Sequence, residues 1–523
     1  MGDARLWTGG RVFTGRRYAE AVLIDQGAVV AVGTDIEVRR SAPTGTEVVP
    51  LHGRLILPGL IDAHLHVSEL TRFREGLNLS TVRDLDDLLA KLHAWAESHP
   101  TGAVVGRGLD VERSLRGRWP VRQELDRVAD DRPVVVYHAS GHAAIANSYA
   151  LSMPEVASKV SEEREGRVGR ASDGSPNGAV YEDASRWLTP LTAVADDPTA
   201  VARTLQFLSS LGLTTVASMS VAPEELAILR QLAAEDRLPL RVRVYVRLLR
   251  VREYPSEYLH PLGRAGRFAV TGTKGFADGA FGPRTAWLSA PYSDAPEGCG
   301  LAEDTDEALS SSLDAAHQLG LAPALHAIGD RGVLRAVRLL SPYIRSKGAR
   351  ARVEHVGLTP PPVLSALESV RPALVVQPGF VWSDYWLADR LGATRARWAY
   401  AFRTLVDRGH LVVGSSDAPF DPPDPWRGLR AAVDRRDELG RSANPDPQEA
   451  LTVEESLRLY TVNAGAVLGE TSLGSLEVGA KADLVVLEAR NLGGAIRDGA
   501  NTVRETWVDG VRVFDAGGPT GAQ

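Results

Sequence analysis

The sequence predicts an α/β fold: a (β/α)8 TIM barrel, a small β-sandwich domain formed from both termini, and an inserted subdomain after the first barrel strand. Three observations predict it. Short apolar runs recur eight times through the middle of the chain, separated by segments of helical spacing. The two ends share a different, strand-rich texture. Roughly 150 residues separate the first apolar run from the second, too many for one strand-to-strand crossover.

The elements follow in chain order. Residues 1–57 hold short strands, and Ala21 to Gly33 reads as a hairpin turning at Gln26-Gly27. Leu55 to Ile61 is the first apolar run. An insertion from about 67 to 190 is expected to pack over the barrel mouth and shape access to it. The remaining runs are Thr214–Ala217, Leu240–Val246, Thr273–Phe276, Ala322–Leu325, Arg352–His355, Ala373–Val376 and Leu411–Gly414. Glu307 to Gly320 has helical spacing, and Thr452-Val-Glu-Glu455 is a capping box that opens a helix over Val453 to Tyr460. Ala482 to Leu487 and the hairpin Val503 to Phe514, with Asp509-Gly510 at its turn, return the chain to strand texture. The expected division is residues 1–57 with 472–523 as the sandwich and 58–471 as the barrel. Order is expected everywhere except from Gly517 to Gln523.

Composition narrows the function classes. Hydrophobic residues make up 44% and charged residues 24% of the 523, ordinary for a globular protein. A net charge of −7 argues against nucleic-acid binding, which needs a basic face. The densest arginine stretch, Arg241 to Arg250, alternates like a strand with a charged face and is not read as a phosphate binder. The lone cysteine, Cys299, excludes an intrachain disulfide and a multi-cysteine zinc site, so any metal must take His, carboxylate or modified Lys ligands. Low cysteine use fits a cytoplasmic protein. No apolar stretch of about 18 residues occurs, so no membrane span is expected. The expected partner is a small-molecule substrate, with a homodimer as one assembly open to the chain.

The chemistry starts at Pro58-Gly-Leu-Ile-Asp-Ala-His-Leu-His66. Residues two apart on a strand point the same way, so His64 and His66 converge where an apolar strand ends. Barrel enzymes place catalytic groups at that end. The other strand exits carry Lys274, His326, His355 and Asp417. Four of the twelve histidines thus fall at such exits. A strand-end His is often structural and an Asp after a strand is often a helix cap. Six polar groups crowded at one barrel rim are harder to explain that way. Glu354, by strand alternation, should face away from His355 and is left out of the site.

This ordered set resembles the amidohydrolase superfamily, and more narrowly its amidohydrolase-3 group, which includes N-substituted formamide deformylase-like proteins. The motifs are Pro58 to His66, Lys274 to Ala286, His326-Ala-Ile-Gly-Asp330, Glu354-His355, Val376-Gln-Pro378, Ser416-Asp-Ala-Pro419, Leu473 to Val486, and Gly141 to Asn147 in the insertion. They span nearly the whole chain. Phe380 departs from the pattern, since members often carry His two residues after the Gln-Pro pair.

The resemblance implies a site of one or two divalent ions, zinc first, with manganese or iron as alternatives. His64, His66 and Asp417 would hold one metal. His326 and His355 would hold a second, with Lys274 bridging as a carbamate formed from CO2. The alternative is an uncarboxylated Lys274 beside a single metal. Asp417 would also act catalytically, taking the proton of the attacking, metal-activated water and passing it to the leaving nitrogen. His142, Asp278, Arg284, Trp382 and Tyr385 sit near expected mouth segments as candidate substrate contacts. The leading function is metal-dependent hydrolysis of a non-peptide C–N bond in an N-acyl or N-formyl amine. Cyclic amidase, deaminase or lactonase chemistry on the same metals is the alternative, and a non-catalytic scaffold is a third class.

Overall fold

The structure is a computed structural model that describes residues 4–139, 141, 143–163, 167–191, 197–259, 266–347 and 350–517. The tail expected to lack order falls, beyond Gly517, outside the described residues, as does His142.

Eight parallel strands form the barrel: β1 (Leu60–Leu65), β2 (Leu213–Val221), β3 (Arg241–Arg247), β4 (Phe268–Phe276), β5 (Ala322–Ala327), β6 (Arg352–His355), β7 (Ala373–Val376) and β8 (Val412–Gly414). Each pairs with its sequence neighbour in order. Between β8 and β1 the ring is closed by loop hydrogen bonds. The Asp417 N–H donates to the His64 carbonyl at 2.8 Å, and the His66 N–H donates to the Ala418 carbonyl at 2.8 Å. The seam of the barrel therefore runs through the residues singled out for chemistry.

Inward side chains fill the barrel with Ile61, Ala63, Ala217, Met219, Tyr245, Ala324, Val375 and Val413. Outward side chains such as Leu60, Val216, Val242 and Leu374 pack under the surrounding helices. This two-sided burial explains why the barrel strands read as continuous apolar runs.

The first apolar run differs from its expected form. Leu55 to Ile61 was expected to be one strand, but it splits at Gly59. Leu55–Pro58 joins the terminal sheets and Leu60–Leu65 joins the barrel. Gly59 lies so close to the buried Thr214 that an added Cβ would sit 2.2 Å from its hydroxyl oxygen. Close approach of two chains is what a glycine permits there.

The termini build two sheets. One orders the strands Ala28–Gly33, Ala21–Asp25, Arg5–Thr8 and Glu47–Pro50; the other orders Val511–Asp515, Val503–Val508, Leu484–Leu487, Leu55–Pro58, Arg11–Phe13 and Tyr18–Ala19. They share a core that includes Trp7, Ile24, Ile56, Leu484 and Trp507, with the two indole rings edge to face at 5.3 Å. Both expected hairpins form, with Gln26, Gly27, Asp509 and Gly510 at positive φ as such turns require.

The arginine-rich stretch forms strand β3, as its alternation suggests, and its arginines are paired inside the protein. Arg241 is buried and donates to Asp483 at 3.0 Å and to Asp509, while Arg243 donates to Glu470 at 2.8 Å. These pairs dock the barrel floor onto the terminal sheets.

Between β1 and β2 in the chain lies a six-stranded sheet with Leu77–Asn78 and Val168–Arg170 as its edge strands and a hydrophobic core on each face. Gly141, beyond the strand Val134–His138, abuts the ring of Phe420 at the barrel mouth. Among the described residues, no helix is long and apolar enough to cross a membrane.

Candidate metal centre

His64 is the penultimate residue of β1 and His66 follows the strand directly, as period-two geometry requires. Their rings lie 5.4 Å apart, and both Nε2 atoms point at one oxygen of Asp417, at 3.1 Å and 3.2 Å. His355 stands 4.9 Å from His64, and His326 stands 4.4 Å from His355, ring to ring. Lys274 is buried on β4, with its Nζ 3.4 Å from His64 Nε2. The structure thus gathers His64, His66, Lys274, His326, His355 and Asp417 at one end of the barrel.

Neighbouring groups set which nitrogen of each imidazole carries hydrogen. His64 Nδ1 donates to Glu354 at 2.6 Å. His66 Nδ1 donates to the Met219 carbonyl at 3.2 Å. His355 Nδ1 donates to the Gln377 side-chain oxygen at 2.7 Å, and the Gln377 amide nitrogen donates onward to Ser415. His326 donates from the other nitrogen, Nε2, to the Gly279 carbonyl at 3.0 Å. The lone pairs left over are Nε2 on His64, His66 and His355, and Nδ1 on His326.

That donor set fits a divalent metal. With hydrogen on each ring's Nδ1, the Nε2 atoms of His64 and His66 face one Asp417 oxygen, giving three donors that a shared cation would join. Among the described residues, the buried Nε2 of His355 has no hydrogen-bond partner. Ligand atoms of His64, His355 and Asp417 all lie within 4.8 Å of one another. Burial lowers the pKa of His66, and lowers that of His355 well below the usual imidazole range, so both stay neutral as ligands must. Although burial opposes ionisation, the neighbouring histidines, His64 first, hold Asp417 well below the ordinary carboxylate range.

Several of these contacts were not foreseen. Glu354 faces the site, contrary to strand alternation, and so does His355 beside it. The pleat ends there, because His355 and Val356 take φ values of 72° and 49°. The left-handed backbone turns the His355 ring inward while Glu354 keeps its strand orientation. Arg352, two residues before Glu354, donates to both oxygens of that carboxylate and to the Ala63 carbonyl. Burial opposes its ionisation, yet the Arg352 charge and His64 bring the Glu354 carboxyl down to about 2. Asp62 accepts the backbone N–H groups of His64 and Ser416, both at 3.1 Å, and so couples β1 to the Asp417 loop. Gln377 lay inside a recognised motif without an assigned role, and Glu354 adjoins a ligand in another. Those adjacencies were the available signal.

The candidate substrate contacts are engaged elsewhere. Asp278 is buried, and its carboxylate accepts backbone N–H groups from Trp287, Ile328 and Gly329, organising the loop behind His326. Arg284 pairs with Asp294 at 2.9 Å. Trp382 is buried beneath Arg427 and Arg430, and Tyr385 lies under Arg441. None of the four lines the cleft that leads to the histidines. That cleft, about 620 Å³, is walled by Arg107, Tyr137 and His138 of the insertion and by Arg247 and Phe420 of the barrel loops.

The sequence profile of the amidohydrolase family matches residues 47–514. The chain is 29% identical to the putative amidohydrolase YtcJ of Bacillus subtilis (strain 168), over 92% of this chain and 94% of that protein. It is 27% identical to the N-substituted formamide deformylase of Arthrobacter pascens, over 96% of each. Among solved structures, an uncharacterized metal-dependent hydrolase from Pyrococcus horikoshii OT3 superposes with a TM-score of 0.77 at 28% identity, covering 93% of this chain and 97% of that one.

Proposed function

The chain belongs to the amidohydrolase family, and from that premise we propose that it is a metal-dependent hydrolase of a non-peptide C–N bond in an N-acyl or N-formyl amine. The observation that carries this reading is the convergence of His64 Nε2 and His66 Nε2 on one Asp417 oxygen, at 3.1 Å and 3.2 Å. The Arthrobacter pascens relative is named for deformylating N-substituted formamides, which favours the N-formyl amine among C–N substrates.

His64, His66 and Asp417 would hold one ion, and His326 Nδ1 with His355 Nε2 a second. Zinc suits imidazole and carboxylate donors, and manganese or iron can occupy the same set. Such an ion supplies Lewis acidity and lowers the pKa of water toward about 7. Lys274, carboxylated by CO2 with release of a proton, would add a carboxylate to the ligands available to the ions. Asp417 is the proton carrier. One of its oxygens faces the two histidines, and the other takes the proton of the attacking water and passes it to the leaving nitrogen. The cleft floor seats the scissile carbonyl beside these groups while its walls orient the rest of the substrate.

A panel of N-formyl amines, N-acyl amines, cyclic amides, amidines and lactones, assayed with added zinc, tests the reading. Turnover of the acyclic formamides or amides, abolished by Asp417→Asn in a folded protein, is expected. Turnover confined to lactones or amidines would overturn it.

A further inference from the structure

Beyond Phe420 the metal centre opens into a second, smaller cavity of about 110 Å³. Phe420, His326 and Asp417 border both cavities, so groups on either side of a scissile bond held at the centre can point into different spaces. The smaller one has room for about four groups the size of a water molecule.

Its walls are of two kinds. Phe380, which stacks parallel to His355 at 6.4 Å, forms an apolar side together with Phe281 and Ile328. Asp110, Glu112 and Asp384 supply three carboxylates. Two of these have cations beside them. Glu112 pairs with Arg390 at 2.7 Å, and the same guanidinium also holds Asp294. Asp110 accepts the Arg113 N–H at 2.9 Å and lies 3.9 Å from the Arg113 side chain.

Asp384 differs. Among the described residues it has no ion-pair partner, and its carboxylate accepts one side-chain hydrogen bond, from the buried Tyr400 hydroxyl. Burial pushes its carboxyl up to about 7; the Tyr400 hydrogen bond opposes this, and the charges of Asp421, Asp110 and Glu112 add to it. Asp384 is half-buried; a carboxylate there without a cation is disfavoured, and a neutral alkyl group in the cavity would leave it so. An anionic group would be repelled. An ammonium group fits the space and supplies the missing charge.

We propose that this cavity is a specificity pocket for a small protonated amine carried by the substrate, a few bonds from the scissile carbonyl, with Asp384 as its ion-pair partner. The inference rests on the amide-hydrolase reading and narrows it to amides that bear a second, basic nitrogen.

Hydroxamates test it, because they chelate an active-site metal whether or not turnover occurs. Calorimetric titration of the zinc-loaded protein would compare ω-amino hydroxamates of two to four carbons with methyl-capped analogues of equal length. At least one amino compound is expected to bind about tenfold or more tightly than its neutral partner. That preference is expected to disappear in Asp384→Asn and to shrink in Tyr400→Phe, with the neutral analogues binding both variants as they bind the parent. Equal binding of every pair to the parent protein, or a preference that survives Asp384→Asn, would overturn the proposal and leave the metal hydrolase standing. Failure of all the hydroxamates to bind would remove both.

Discussion

His64 donates its Nδ1 hydrogen to Glu354 at 2.6 Å, between two side chains that are both fully shielded from solvent. The carboxylate orients the ring that would hold the metal and raises its basicity, and Arg352 fixes the carboxylate in turn. Substituting Glu354→Gln is expected to weaken metal affinity by about 10- to 100-fold, read by competition with a chromogenic chelator. The Arg352 charge would then be buried without its counter-ion, and stability should fall by about 3–5 kcal/mol in urea unfolding. Unchanged affinity would show that Glu354 does not orient the ligand.

The same carboxylate predicts a pH dependence. Its pKa in the folded protein is about 2, against about 4.3 for an unfolded glutamate. A depressed pKa stabilises the fold above the unfolded value, and that contribution is lost as pH falls from about 4.3 toward 2. Urea midpoints measured between pH 5 and pH 3 should drop more steeply in the parent protein than in Glu354→Gln. Parallel slopes would contradict the assignment.

Much of this architecture is legible in the residues. Each barrel strand overlaps an apolar run, the first only at Leu60 and Ile61, because strands buried on both faces are largely apolar throughout. His64, His66, Lys274, His326, His355 and Asp417 stand out because each is a polar residue where such a run ends. Alternation misplaced Glu354, since it assumes that the pleat continues through His355, whose φ of 72° ends it. The charged face of the strand carrying Arg241 and Arg243 is legible, but its partners Asp483 and Glu470 are not, because they lie far away in the chain. The contacts proposed for Asp278, Arg284, Trp382 and Tyr385 came from proximity to mouth segments, which does not say whether a side chain points into the cleft or to its own neighbours.

Lys274 separates the two forms of the centre. Lys274→Arg keeps a cation but cannot supply a bridging carbamate, so activity should fall by about hundredfold or more, which corresponds to about 3 kcal/mol of lost transition-state stabilisation. Lys274→Ala should recover part of its activity when short carboxylic acids and metal are added, because a free carboxylate can occupy the vacated position. Full activity in Lys274→Arg would establish that the lysine is not carboxylated.

Gly59 tests the junction between the terminal sheets and the barrel. A Cβ there would lie 2.2 Å from the hydroxyl oxygen of Thr214, which is buried. Gly59→Ala should cost about 1–3 kcal/mol in urea unfolding through overpacking. The double variant Gly59→Ala with Thr214→Ser should recover part of that loss, because it removes one of the clashing atoms. A neutral Gly59→Ala would show that the junction yields freely.

The metal content of the purified protein, measured by inductively coupled plasma mass spectrometry before and after chelation, tests the central claim most directly. The geometry of His64, His66, His326, His355 and Asp417 predicts one or two divalent ions per chain, with amide hydrolysis lost on their removal and restored on their return. A protein that carries no stoichiometric divalent metal and hydrolyses amides equally well after chelation would contradict it.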